Sequence, residues 1–201
     1  MNGYYSEEEL SSIGFREVGE RVLISKKASI YTPECISIGH DVRIDDFCFL
    51  VGEINIGSYV HLSPYSSIHG TGGGTVTLKD FAGLSSYCTI YSASDDYSGE
   101  AMTNPMVDVE FRNVEYADII LEKHAVVGLH SVVLPGAYIA EGCALGAMCL
   151  LAKETKPWGI YVGIPARRVK ERSKHILELE QSFLAGTENE KGVLRRCADY
   201  E

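Results

Sequence analysis

The side chains with chemical capacity fall into three groups. Six histidines, His40, His61, His69, His124, His130 and His175, are scattered along the chain. Imidazole is the side chain whose ordinary pKa lets it take and return a proton near neutrality. A pair of adjacent carboxylates, Asp95 and Asp96, follows Ser94, and such a pair could bind a cation, accept a proton or form a hydrogen-bonded turn. The run Arg167-Arg168-Val169-Lys170-Glu171-Arg172 is the densest basic stretch in an acidic protein, a local attraction for a polyanion or the charged face of a helix. The six cysteines include no CxxC pair, so neither a zinc site nor a redox motif is expected, and they read as reduced and mostly buried.

Their scaffold is announced by a period of six. Aliphatic anchors recur at Ile38, Ile44, Leu50, Ile56, Leu62 and Ile68, at Leu78, Leu84 and Ile90, and from Leu121 through Val127, Val133, Ile139 and Leu145 to Leu151. Four residues after most anchors stands a second, usually smaller residue: Val42, Cys48, Val60, Ser66, Ala82, Cys88, Ala125, Ser131, Ala137, Cys143 and Cys149. Six fits neither the 3.6 period of a helix nor the alternation of a solvated strand. It fits a solenoid in which three hexads close one triangular coil, with anchors and small residues pointing inward. The expectation is an all-β solenoid, a parallel β-helix.

Residues 1–20 are read as an N-terminal cap segment, with Ser6-Glu7-Glu8-Glu9 in capping-box form and Leu10, Ile13 and Phe15 on a short helix over the open first coil. Residues 21–170 form the coil domain, interrupted by Gly70-Thr71-Gly72-Gly73-Gly74 and by a long loop over 91–118. Residues 171–201 are read as a C-terminal helix from Glu171 to Leu184, apolar through Ile176, Leu177, Leu179, Phe183 and Leu184, and a solvated tail.

Several segments resemble the hexapeptide-repeat acyltransferases: Ile56-Gly57-Ser58-Tyr59-Val60-His61-Leu62, Val133-Leu134-Pro135-Gly136-Ala137-Tyr138-Ile139 and Gly159-Ile160-Tyr161-Val162-Gly163-Ile164-Pro165-Ala166-Arg167-Arg168. Ile90 to Gly99 and Pro157 to Tyr161 are similar to the sugar acetyltransferases of bacterial surface-polysaccharide clusters. The likeness covers about residues 20 to 172. It implies a left-handed β-helix, where ordinary parallel crossovers would be right-handed. It further implies a homotrimer with sites between subunits, acetyl-CoA as co-substrate and a sugar or nucleotide-sugar acceptor. Matched by position, Gly146, Ala147 and Lys153 would line the pantetheine arm, Gly163 and Pro165 would shape the turn, and Arg167 and Lys170 would meet the phosphates. Trp158 could flank the adenine or simply pack.

Acyl transfer needs a base and oxyanion donors. His61, between the inward Val60 and Leu62, should point outward on a flat face, which makes it the first candidate. His69, beside the glycine loop, is the second. His40, His124 and His130 fall at turns and read as solvated corner residues, and His175 as surface. Many sugar O-acetyltransferases of this fold carry a catalytic histidine in the loop matching Tyr91 to Pro105; here Asp95 and Asp96 stand there instead, which favours an amine acceptor.

The leading reading is an acetyl-CoA-dependent acetyltransferase acting on the amino group of a nucleotide-linked deoxyamino sugar, or on a sugar hydroxyl, in surface-polysaccharide synthesis. Alternatives are a galactoside-type O-acetyltransferase, a non-catalytic scaffold, and a metal hydratase. The last needs three histidines brought together by stacked coils, and no pair here is eighteen apart, so no metal is expected. Outward Phe49 and Tyr59 would suit a subunit interface. The net charge of −10, from 28 acidic and 18 basic residues, argues against nucleic-acid partners. No apolar run long enough to span a membrane and no signal-like start are seen, so a cytoplasmic protein is expected.

Overall fold

The computed structural model describes residues 3–189. Cys197 and the expected tail beyond residue 189 lie outside them. The hexads form a triangular prism with three parallel faces. The first face stacks Glu17–Val18, Ile36–Ile38, Ile54–Ile56, Val76–Leu78, Ile119–Leu121 and Tyr138–Ile139. The second stacks Leu23–Ile24, Arg43–Ile44, His61–Leu62, Gly83–Leu84, Val126–Val127, Ala144–Leu145 and Gly159–Val162, closed by the antiparallel strand Arg167–Glu171. The third stacks Ser29–Tyr31, Phe49–Gly52, Ser67–Gly70, Thr89–Tyr91, Val132–Val133 and Leu150–Leu151. The fold is the parallel β-helix that the period of six predicted, left-handed as the family resemblance implied.

The hexad is a packing rule. Every anchor and every small residue named above is buried, together forming one continuous column. The small positions sit where two faces meet, so only Val, Cys, Ser or Ala fits. Four of the five described cysteines occupy this column, all five are free, and burial pushes the Cys48 and Cys88 thiols up to about 11. One coil advances the chain by 18 residues, as from His40 to Ser58. The glycine-rich insert lengthens the step to 22, from Ser58 to Asp80, and the long loop to 43, from Thr75 to Asp118.

The corners carry a feature that the hexad pattern did not reveal. The residue before each small position has positive φ, and it is glycine only at Gly136 and Gly142; elsewhere it carries a side chain, as at Phe47 (61°), Tyr59 (59°), Tyr65 (64°), Phe81 (60°), Tyr87 (61°), His124 (60°) and His130 (57°). The left-handed region costs an L-residue roughly 1–2 kcal/mol. Stacking of these rings between coils offsets that cost. Tyr59 stacks on Phe81 at 4.7 Å and Phe81 on His124 at 5.1 Å along the edge between the first and second faces. Phe47, Tyr65, Tyr87 and His130 stack at 4.8, 4.7 and 4.6 Å along the edge between the second and third.

Both expected helices are present. The first, α1 (Glu7–Ile13), has the full capping box between Ser6 and Glu9 and ends on Gly14 in the left-handed conformation, with Leu10 buried against the first coil. The second, α2 (Ile176–Asn189), begins five residues later than expected, because Arg167–Glu171 pairs with Gly159–Val162 and the basic run is a strand instead of a helix face. Helix α2 lies along the edge between the first and second faces. Phe183 meets Tyr59 edge-on at 5.4 Å, and Glu180 binds Lys123 and His124. Two expectations are thereby corrected. Tyr59 is covered by α2, not offered to another subunit. His124 is 2% exposed and no solvated corner residue, because a helix 56 residues away supplies its hydrogen-bond partner.

Candidate active site

The second face gathers most of the candidate residues. Its outward column runs Arg43, His61, Gly83, Val126, Ala144 and Ile160 in register. His61 points outward as expected, its side chain 48% exposed. Its Nε2 lies 2.7 Å from Oδ2 of Asp45, a carboxylate only 8% exposed. The other oxygen of Asp45 accepts from Arg43 Nε at 2.6 Å and from the Tyr4 hydroxyl at 3.2 Å. A carboxylate held by a guanidinium and a phenol fixes the imidazole: Nε2 carries the proton toward Asp45, and Nδ1 is left as the acceptor.

Asp45 was missed by sequence reasoning. It follows the anchor Ile44 and lies 16 residues before His61. Coil stacking of 18 aligns Arg43 with His61 and leaves Asp45 diagonal to it, so a search for partners at the full coil spacing passes over it.

His69, the second candidate, is on the third face. Its ring stacks on Phe49 at 5.0 Å and Tyr91 at 4.2 Å, and burial between them holds its pKa below the ordinary histidine value. Both ring faces are occupied, so it is built into an aromatic row. His40 accepts the Glu20 amide through Nδ1, His130 caps the second ladder, and exposed His175 contacts Glu178.

The positions matched to the donor's binding track all fall in the late coils, most of them on or beside the second face and Lys153 beyond the third. Gly146 and Ala147 form the corner after Ala144–Leu145, Gly163 (φ 92°) turns the chain after Gly159–Val162, and Lys153 follows the last strand of the third face. The Gly146 amide donates to the Tyr161 carbonyl at 2.8 Å, so Gly146 serves shape and is no oxyanion donor. The basic run divides. Arg168 pairs with Glu171 at 2.7 Å, and Arg172 turns inward to the carbonyls of His124 and Gly142, where burial lowers its pKa. Arg167 and Lys170 remain exposed on the outer strand. Trp158 is buried against Gly142, so it packs and does not face a ligand.

The acidic pair sits elsewhere. The loop over 91–118 leaves the edge between the third and first faces as a ribbon, Ala93–Asp95 antiparallel to Val114–Tyr116. Asp96 accepts the Ser98 amide at 2.7 Å, and its contacts with Ser98 hold the carboxyl below the ordinary aspartate range. Asp96 is thus a turn residue. Within one chain the ribbon and His61 lie on different sides of the prism. A trough of about 670 Å³ runs along the first face past Glu17, Ser37, Asn55, Thr77 and Lys123; of the six histidines only His40 lines it, and neither His61, the acidic pair nor the basic strand does. Among the described residues no cluster of three or more His, Cys, Asp or Glu could hold a metal ion, and no helix is long and apolar enough to cross a membrane.

The prism of hexapeptide coils is the fold that the resemblance to the hexapeptide-repeat acyltransferases implied. Comparison with known proteins makes the relationship definite. The chain is 45% identical over 183 residues to the dTDP-4-amino-4,6-dideoxy-D-glucose acyltransferase of Escherichia coli, covering 90% of this chain and 94% of that one. It is 47% identical to AntD, an N-acyltransferase from Bacillus cereus solved with dTDP and 3-hydroxybutyryl-CoA, with a TM-score of 0.91 over 94% of this chain and 100% of that one. A hexapeptide-repeat acetyltransferase from Vibrio cholerae, 16% identical and solved with acetyl coenzyme A, shares the fold at a TM-score of 0.56 over 82% of this chain and 75% of that one. No family model matches. The chain belongs to the hexapeptide-repeat sugar acyltransferases and is an enzyme of that class.

Proposed function

We propose that this enzyme transfers an acyl group from a coenzyme A thioester, acetyl-CoA in the first instance, to the amino group of a dTDP-linked deoxyamino sugar. The observation that carries the reading is the Asp45-bound His61 on the same face as Arg167 and Lys170. Both named relatives act on, or were solved with ligands of, this chemistry. The basic strand lies five strand spacings from His61, about 24 Å, so an extended donor bound along the late coils can have its phosphates at one end and its thioester toward the histidine.

In this reading Nδ1 of His61 accepts a proton as the amine nitrogen attacks the thioester carbonyl carbon. The C–S bond then breaks, the electron pair leaves with sulfur, and His61 returns the proton to the thiolate, giving an amide and free thiol. Gly146, Ala147, Lys153 and Gly163 line the pantetheine arm, and Arg167 and Lys170 neutralise phosphates. Asp95 faces the acceptor amine, while Asp96 holds the turn that presents it. Because the ribbon and His61 lie on different sides of one prism, the complete site needs a neighbouring chain. A homotrimer with sites between subunits meets that need, and the aromatic edge beside the second face, with Phe47, Tyr65 and Tyr87 exposed, suits a contact there. Action in the cytoplasm on activated sugars for surface polysaccharide is the matching setting.

The test is thiol release from acetyl-CoA and 3-hydroxybutyryl-CoA against dTDP-linked amino sugars, dTDP-linked neutral sugars and free glycosides, with product masses. Turnover confined to amino sugars is expected, and His61→Ala should lower kcat by about 10²–10⁴ with coenzyme A affinity intact. Turnover only on hydroxyl acceptors would overturn N-acylation, an unchanged kcat would remove His61, and a fully active monomer would end the intersubunit site.

A further inference from the structure

We propose that Gly83 is a specificity residue: its missing side chain is the notch in which the acceptor's sugar ring sits beside His61. The proposal rests on the reading of His61 as the base. Glycine inside a strand weakens it and needs a reason, which is ordinarily a left-handed φ, a bulge, crowding by the neighbouring strand, or the close approach of a ligand or another chain. The first three fail at Gly83. It is not among the glycines with positive φ, and it pairs in regular register with His61 on one side and Val126 on the other. A Cβ built there would meet only the His61 carbonyl oxygen, at 3.5 Å, an ordinary contact. Gly39 is the contrast, since a Cβ there would lie 2.7 Å from the Gly57 carbonyl carbon. Coil packing therefore demands glycine at 39 and does not demand it at 83.

What remains is an approach from outside, and the surroundings say by what. Asp45 sits one coil earlier and ties the imidazole on that side. Gly83 is the next position in the column on the opposite side, one strand spacing of about 4.8 Å from His61. A nucleophile must come within hydrogen-bond reach of its base, and this gap is the nearest open place on the strand surface for it. The His61 and Val126 strands lie two spacings apart, about 9.6 Å between backbones, and with the thickness of the two side chains taken off the gap over Gly83 is about one saturated ring wide, too little once a branched side chain stands in it. The cations proposed for the donor lie on the outermost strand of the same face, beyond Val126, so the notch falls to the acceptor.

Gly83→Ala and Gly83→Val test this by three readings: Tm with the mass in solution, thiol-release kinetics in each substrate, and titration of dTDP-4-amino-4,6-dideoxyglucose into enzyme held with coenzyme A. Gly83→Ala should fold with an unchanged or raised Tm. Gly83→Val should weaken acceptor binding and lower acceptor kcat/KM by at least about tenfold, Gly83→Ala by less, both with the KM for the thioester unchanged. Acceptor binding and kcat/KM equal to wild type in Gly83→Val would overturn the proposal. So would a lowered Tm in Gly83→Ala, which would show a packing need, or a changed mass in Gly83→Val, which would show that another subunit fills the gap. His61→Ala run in parallel separates the two readings. If it keeps full turnover while Gly83→Val loses acceptor binding, the notch stands and the base is another group; the reverse pattern removes the notch and keeps the base.

Discussion

Replacing Asp45 by asparagine changes one atom of a buried side chain and should disable the base without disturbing the fold. Asp45 receives three contacts: His61 Nε2 at 2.7 Å on one oxygen, Arg43 Nε at 2.6 Å and the Tyr4 hydroxyl at 3.2 Å on the other. Arg43 and the tyrosine hydroxyl are donors, so the carbonyl oxygen of asparagine stays with them and its NH2 turns to His61. An NH2 group donates, so Nε2 must become the acceptor and the ring proton moves to Nδ1, the nitrogen that should receive the acceptor's proton. Recovering the productive tautomer means giving up that bond and the charge assistance behind it, about 1.5–3 kcal/mol. At tenfold per 1.4 kcal/mol, kcat should fall between about tenfold and about 150-fold. The KM for the coenzyme A thioester should not move, since the donor track lies coils away. Initial rates of thiol release at saturating substrates measure the first quantity, and nitrogen-15 shifts of the His61 ring report the tautomer directly. A variant with the wild-type kcat and an Nε2 proton still in place would refute the account of Asp45.

Other perturbations reach separate parts of the structure. Removing both exposed cations, Arg167→Ala with Lys170→Ala, should weaken coenzyme A binding by roughly tenfold or more and reduce its salt dependence, which calorimetry at two ionic strengths reads. Glu180→Ala leaves His124 and Lys123 without their carboxylate and frees α2 from the prism; the cost of about 3 kcal/mol corresponds to a Tm lower by roughly 6–12 °C. Burial alone would raise the Glu180 carboxyl, but hydrogen bonds from Lys123 and His124 outweigh it and hold the pKa below the ordinary value. Its contribution is therefore full above about pH 4.3 and lost as pH falls through the lower folded value, so the Tm gap between wild type and Glu180→Ala should close in that acid range. A gap that stays constant down to about pH 3 would show that the carboxylate is not what holds the helix. Gly39→Ala should cost about 1–3 kcal/mol by forcing two coils apart, and an unchanged melting curve would refute the close-approach explanation.

The parts of this protein that could be read in advance are those set by residues near in sequence or at a fixed period. Ile38, Ile44 and Leu50 announce three faces because one side chain per hexad must point inward, a spacing that neither an amphipathic helix nor a solvated strand keeps. Ser6 and Glu9 announce a helix start because both partners of the capping box lie within one turn. What failed depended on contacts at irregular separations. His124 carries no local mark of burial; its carboxylate arrives from α2, and that helix could cover it only because the basic run before it closes the second face as a strand. The same reasoning explains the site. His61 was legible as an outward residue between inward neighbours, whereas Asp45 and Gly83 gain meaning only through register, one as the tether diagonal to His61 and the other as the gap directly beside it.

A positive φ at Phe47, Tyr65 and Tyr87 shows how the corners and the chemistry are linked. Glycine would adopt that conformation without strain, yet these corners carry aromatic rings, and their stacking ties successive coils along the edge that borders the second face. Asp45 immediately precedes that edge in its coil, and the ladder runs from Phe47 through Tyr65 and Tyr87 to His130, one coil short of the corner at Gly146 and Ala147, so it ties the coil of Asp45 to the coils that lead toward the corner proposed for the donor. A loop could carry the same residues, but its spacing would vary with every fluctuation, and transfer between two bound substrates depends on holding that distance.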